Sequence, residues 1–241
     1  MLKLSKKTLL ILIVILSIAI IILLVLSYLK SSLSLYNSSD SPIASSNEPA
    51  QKPPIVVIDA GHGGWEPGAG KDPINEKDIV LDISLEIEKV LKEKNIDYYM
   101  LRNDDTYISL EDRVRIANEK SSKLFVSIHN NSFTDPTQSG ILTTYNPYSS
   151  TGKEIAEIMQ SKIGDLGMKD RAIMPRPDLY VLRHTEMPAI LLEIGFISNK
   201  KDLSLLKDVN FQKKCAHQIV LGIEEIISKY ITAVEENSAE D

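Results

Sequence analysis

Ile55-Val56-Val57-Ile58-Asp59-Ala60-Gly61-His62-Gly63-Gly64 decides how this 241-residue chain is to be read. Residues 55–58 are apolar and β-branched without interruption, the mark of a strand covered on both faces. The turn after them is rich in glycine and carries a histidine. Residues 76–94 then set apolar side chains at 79, 80, 83, 87, 90 and 91, the spacing of an amphipathic helix.

The same alternation continues. Residues 98–101 read as a strand, and Ser109-Leu110-Glu111-Asp112 is a helix-start signal for 110–120, with serine as N-cap and an acid three positions on. Strands are expected at 124–128, at 141–145 on an edge, at 179–182 and at 189–194. Helices are expected at 154–166, 202–206 and 211–231. Apolar strands alternating with helices imply a single α/β domain, its mostly parallel sheet covered by helices on both faces. Functional sites in such folds gather at the carboxyl ends of strands.

Residues 8–29 are uncharged for 22 positions and almost wholly Leu, Ile and Val. At about 1.5 Å per residue they span roughly 33 Å, enough to cross a bilayer. Lys3, Lys6 and Lys7 precede them, which places the N-terminus in the cytoplasm and the rest outside. The run is longer than the apolar region of a cleaved signal peptide, and Ser27-Tyr28-Leu29-Lys30 is a poor cleavage site. Residues 1–30 are therefore expected to be a transmembrane anchor. Residues 31–54 hold eight serines and four prolines and read as a flexible linker, 55–232 as the domain, and 233–241 as an acidic, disordered tail. The five basic and two acidic residues up to Lys52 leave 22 basic and 31 acidic residues beyond it, a net charge near minus nine that disfavours nucleic acid as a partner. The lone Cys215 lies on an apolar stripe with Phe211, Ile219 and Ile223 and reads as a buried, inert thiol.

Four segments carry chemistry: Asp59-Ala60-Gly61-His62-Gly63-Gly64, Asn75-Glu76-Lys77-Asp78, Ser127-Ile128-His129-Asn130-Asn131 and Leu192-Glu193-Ile194-Gly195-Phe196. Two imidazoles and a carboxylate at the ends of regular elements, with a further carboxylate on an apolar strand, read as a catalytic zinc site with one position open to water. Each residue has a plainer explanation. A histidine in a glycine turn is most often a surface residue. An acid after Asn75, a good N-cap, is favoured by the helix macrodipole. Glu193 could be neutralised by Arg183 or Arg102, since an unpaired carboxylate is costly to bury.

In their order and wording, these segments, followed by Gly195-Phe196-Ile197-Ser198-Asn199, resemble the zinc-dependent N-acetylmuramoyl-L-alanine amidases of the amidase 3 family. Such enzymes cut peptidoglycan between the lactyl group of muramic acid and the first residue of the stem peptide. The resemblance runs from about Ile55 to about Ile231. It implies zinc held by His62, Glu76 and His129, with Glu193 as catalytic acid and base. His184, just before Met187-Pro188, Asn130 and Arg102 are candidate substrate contacts, although Arg102, Arg113 and Asn118, which match residues common in the family, are expected to brace the loop after the second strand more than to touch ligand. His217 is expected to be structural. His129 and Glu193 are only 64 positions apart, which leaves little room for the inhibitory insertion that some relatives carry. A short anchored amidase is similar to the germination-specific enzymes of endospore formers, which strip stem peptides from cortex muramic acid so that muramic-δ-lactam can form. That narrower likeness implies an extracytoplasmic location, in the cell wall or the spore intermembrane space, and an accessory envelope protein as a possible partner. Two other functions stay open: a zinc peptidase acting within the stem peptide, against which the absence of His-Glu-x-x-His counts, and a non-catalytic wall-binding or activator module.

Overall fold

The computed structural model describes residues 20–22, 25, 53–71 and 73–231. The expected membrane span lies outside them apart from Ile20, Ile21, Ile22 and Val25, and among the described residues no helix is long and apolar enough to cross a membrane. The linker up to Lys52 and the tail also lie outside.

Six strands form one sheet. In chain order these are β1 (Val56–Ala60), β4 (Tyr98–Met100), β5 (Leu124–Asn131), β6 (Ile141–Tyr145), β7 (Asp170–Pro175) and β8 (Ala189–Phe196); β2 (Gly70–Lys71) and β3 (Ile74–Asn75) make a separate two-stranded hairpin. The sheet order is β4-β1-β5-β8-β6-β7. β4, β1, β5 and β8 run parallel, while β6 lies antiparallel to β8 and carries β7 parallel to itself. The sheet is thus mixed, and 141–145 is an inner strand instead of an edge. The edge on that side is β7, an exposed strand that has no alternating apolar pattern.

Helices cover both faces, as alternation of strand and helix requires. On one face α1 (Glu76–Glu93), α3 (Gly152–Ile163) and α6 (Val209–Ile226) pack on Val56, Ile58, Val126, Ile190 and Leu192. On the other, α2 (Leu110–Glu119) and α4 (Tyr180–His184) cover Val57, Phe125 and Leu191. Residues 179–182, expected as a strand, belong to that second cover: one helical turn buries Val181 and Leu182 on a single side. A short helix α5 (Lys200–Leu206) precedes α6, whose last turn loosens into a π-helical stretch, Ile227–Ile231.

Candidate metal centre and active site

The carboxyl ends of three neighbouring strands meet at one level. Ala60 pairs with Ile128, Ile128 with Leu192, and His129 with Glu193, so the turn after β1 and the last residues of β5 and β8 share one edge. Beyond His129 the β5–β8 register shifts, a bulge that ends regular pairing beside the site.

Glu76 is the centre of the cluster. It is 3% exposed. Asn75 makes no side-chain cap to α1, so the first helical residue is not placed by capping; Glu76 turns inward, where its two oxygens divide their partners. Oε1 accepts from the Asn130 amide at 2.9 Å and faces His129 Nδ1 at 2.9 Å. Oε2 accepts from the Ala69 amide at 2.8 Å and faces His62 Nε2 at 3.1 Å. Burial works against its charge, yet the hydrogen bonds and positive charge of His129 and His62 hold the carboxyl well below the usual range. In turn, Glu76 raises the His129 imidazole against the opposing effect of burial.

One ligand atom from each of His62, Glu76 and His129 lies within 4.8 Å of the others. A tetrahedral ion with bonds of about 2.0–2.1 Å sets its donors roughly 3.3 Å apart, so the donor set and its spacing fit one metal. Two backbone amides orienting the carboxylate are the outer support that metal ligands require. Space is created by glycine. A Cβ on Gly61 would stand 2.3 Å from His129 Cε1, and one on Gly68 would stand 2.7 Å from Glu76 Oε2.

Two buried arginines fix the turn that bears His62. Arg113 pairs with Asp59 and donates to the carbonyls of Ala60 at 2.9 Å and His62 at 2.6 Å. Arg102 donates to the carbonyls of Ala60 at 2.8 Å, Gly61 at 2.7 Å, Asp104 at 2.9 Å and Lys77 at 2.9 Å. His62 is thereby held at a φ of +59°, a conformation uncommon for a residue with a Cβ. Arg102 is 3% exposed and its guanidinium is committed to main-chain oxygens, which is the brace expected of it ahead of a substrate contact. Asn130 is also buried: its Nδ2 donates to the Ile194 carbonyl at 2.6 Å and its backbone orients Glu76, which removes it from the substrate surface. His184 is exposed, stacks on Tyr180 with ring centroids 4.3 Å apart, and stands outside the cluster. Asn118 links α2 to the end of α4 through the His184 carbonyl and the Glu186 amide.

Among the described residues the Glu193 Oε2, like the Asn130 Oδ1, is buried and has no hydrogen-bond partner, and of the two only Glu193 can take up a proton. Burial, reinforced by the charge of Glu76, pushes its carboxyl above the ordinary range despite opposing histidines and Arg176. Neither Arg183 nor Arg102 pairs with it. The cation whose charge reaches it is Arg176, which nothing in Met174-Pro175-Arg176-Pro177-Asp178 marks as functional.

An α/β sheet bearing a His-Glu-His cluster at its carboxyl edge, with a protonatable carboxylate alongside, defines a metal-centred hydrolase. Comparison makes the assignment specific. The Amidase_3 family model, N-acetylmuramoyl-L-alanine amidase, matches residues 56–225, and the chain belongs to this family of metal-dependent peptidoglycan amidases. The N-acetylmuramoyl-L-alanine amidase from Clostridium difficile 630 superposes with a TM-score of 0.70 at 34% identity, over 74% of this chain and 100% of that one. The CwlD amidase from Clostridioides difficile, solved in complex with the GerS lipoprotein, gives a TM-score of 0.68 at 31% identity over 72% of this chain and 98% of its own. Among sequences, the uncharacterized protein YqiI of Bacillus subtilis is 36% identical over 187 residues, 76% of this chain and 89% of that protein.

Proposed function

We propose that this amidase uses zinc, held by His62, Glu76 and His129, and acts on the bond between N-acetylmuramic acid and L-alanine in spore-cortex peptidoglycan. The observation that carries the reading is the unpartnered Glu193 Oε2, in register with His129 beside the cluster. Zinc in such a site lowers the pKa of its water to about 7 and polarises an amide carbonyl. Glu193 takes the proton of the attacking water at Oε2 and returns it to the nitrogen of the departing peptide. A carboxyl raised by burial suits both halves of that exchange, because it holds and releases a proton closer to neutral pH than an ordinary glutamate. The amides of Ala69 and Asn130 keep Glu76 charged and aligned, and Arg102 and Arg113 keep the His62 turn in place.

Residues 8–29, preceded by Lys3, Lys6 and Lys7, support a membrane anchor with the domain on the extracytoplasmic side. The complex of the CwlD relative with a lipoprotein supports an accessory envelope partner here too. The test is mass spectrometry of muropeptides after zinc-loaded protein digests cortex peptidoglycan. Intact free stem peptide is expected. Shortened stems would make the protein a peptidase, and unchanged material with zinc and the envelope partner supplied would refute the reading.

A further inference from the structure

Glu193 opens onto a cavity of about 220 Å³ on the β6–β7 side of the sheet. Arg171, Arg176 and Gln138 stand in its walls with Phe133 and Met174, and Glu193 is its sole carboxylate. The cavity on the histidine side differs: His62 and His129 share it with Asp59, Glu66 and Asp178 and with a single arginine, Arg113, which is paired with Asp59. In a chain with net charge −6, a pair of arginines facing the catalytic centre is a local reversal of sign.

A backbone irregularity puts the arginines together. In a regular strand, residues 171 and 174 would face opposite sides. β7 departs from regularity at Ala172, which adopts a φ of +59° where the β6–β7 register shifts between Ile141 and Thr143. The extra residue brings Arg171 onto the same wall as Met174 and Arg176. Bulges of this kind re-aim side chains beside active sites.

Both guanidiniums have donors to spare. Arg171 rests over the Phe196 ring, 5.2 Å from its centroid, and its Nη1 donates at 3.2 Å to Gln138 Oε1 and the Ser139 carbonyl; its Nε and Nη2 donate to nothing among the described residues. Arg176 is held by Asp178, through Nε at 2.9 Å and Nη2 at 2.8 Å. Asp178 is largely exposed, and an ion pair at the surface contributes little net free energy, so an incoming carboxylate can take its place. A guanidinium accepts such a group through two parallel hydrogen bonds.

We propose that this cavity is the peptide-side subsite, in which Arg171 and Arg176 bind a carboxylate of an acidic stem peptide whose terminal nitrogen is released at Glu193. The proposal rests on the amidase reading above and assigns its polarity: peptide towards β7, sugar towards the histidine side. Two soluble muramoyl-L-alanyl peptides test it, one with a free carboxylate on the second residue and one with that group as an amide. Arg171→Gln is expected to raise KM for the acid about tenfold or more with kcat retained and to leave the amidated substrate unchanged; Arg176→Gln, which also removes a charge felt by Glu193, is read in KM alone, rising for the acid and not for the amide. Arg176→Lys, which keeps the charge without the fork, should fall between. Asp178→Asn should lower KM for the acid, a direction that a structural role for the Arg176–Asp178 pair does not produce. Calorimetric titration of the unmodified protein with the corresponding free peptides, acid and amide, separates the two readings. Equal affinity for both peptides, or equal losses on both substrates in the arginine variants, overturns the subsite even where cleavage is intact. Preference for the acid peptide without cleavage of either substrate would overturn the amidase and leave the subsite standing.

Discussion

The start of α1 and the end of β8 each deliver a glutamate to the same edge of the sheet, and the two carboxylates are in opposite states. Glu76 has an amide donor and an imidazole for each oxygen and stays charged. Glu193 has a buried oxygen with no donor at all and is pushed towards its protonated form. Burial alone raises both; the number of donors decides which keeps its charge and which is pushed towards its protonated form.

The largest effect that tests this contrast is on turnover. Glu193→Gln keeps the shape of the side chain and removes its basicity, so amide cleavage should fall on the order of 10² to 10⁴ with zinc content and melting temperature maintained. Near-normal activity would exclude Glu193 from proton transfer, and loss of zinc would make it a ligand. Next in size, Glu76→Ala should abolish zinc binding and cost about 1–3 kcal/mol, because the Ala69 and Asn130 amides lose their acceptor. An acid that merely complements a helix end would cost about 0.3–1 kcal/mol and leave the metal in place.

The smallest effect is a difference of slope with pH in chelator-treated protein. Glu76, lowered by folding, adds stability that is complete above the ordinary glutamate value of 4.5 and disappears as pH falls through its folded pKa. Glu193, raised by folding, adds stability present below 4.5 that disappears as pH climbs through its folded pKa. Denaturant titrations across this range should therefore show Glu76→Gln flattening the acid side and Glu193→Gln the side above 4.5. Identical slopes in the two variants would dissolve the contrast.

The comparison also explains what could be read from sequence. β1, α1, α2, β5 and β8 were legible because each buries a periodic or continuous apolar pattern, and Ser109 announces α2 with the cap that it makes to the Asp112 amide at 3.1 Å. His129 and Glu193 interrupt the apolar runs of β5 and β8, Glu76 opens α1, and His62 follows β1 in a glycine turn. β7 was not legible: it is an exposed edge, and its bulge at Ala172 breaks any alternation. The run 179–182 is too short for periodicity to separate a strand from one helical turn. Arg102 and Arg171 show the limit most clearly, since only the third dimension reveals which arginine spends its donors on backbone carbonyls and which keeps them for solvent. Asn130 lies at the end of β5, and only the structure shows that its Nδ2 donates to the Ile194 carbonyl.

Cys215 sits in the larger of the two cores, fully buried on α6, its thiol pushed by desolvation up to about 12. A sulfur so placed reacts with an alkylating reagent only when α6 lifts away from α1 and α3, because both access and thiolate formation wait on that separation. With one cysteine in the sequence, every labelled molecule is one that has opened. The chain thus carries its own clock for breathing of the core, readable by mass.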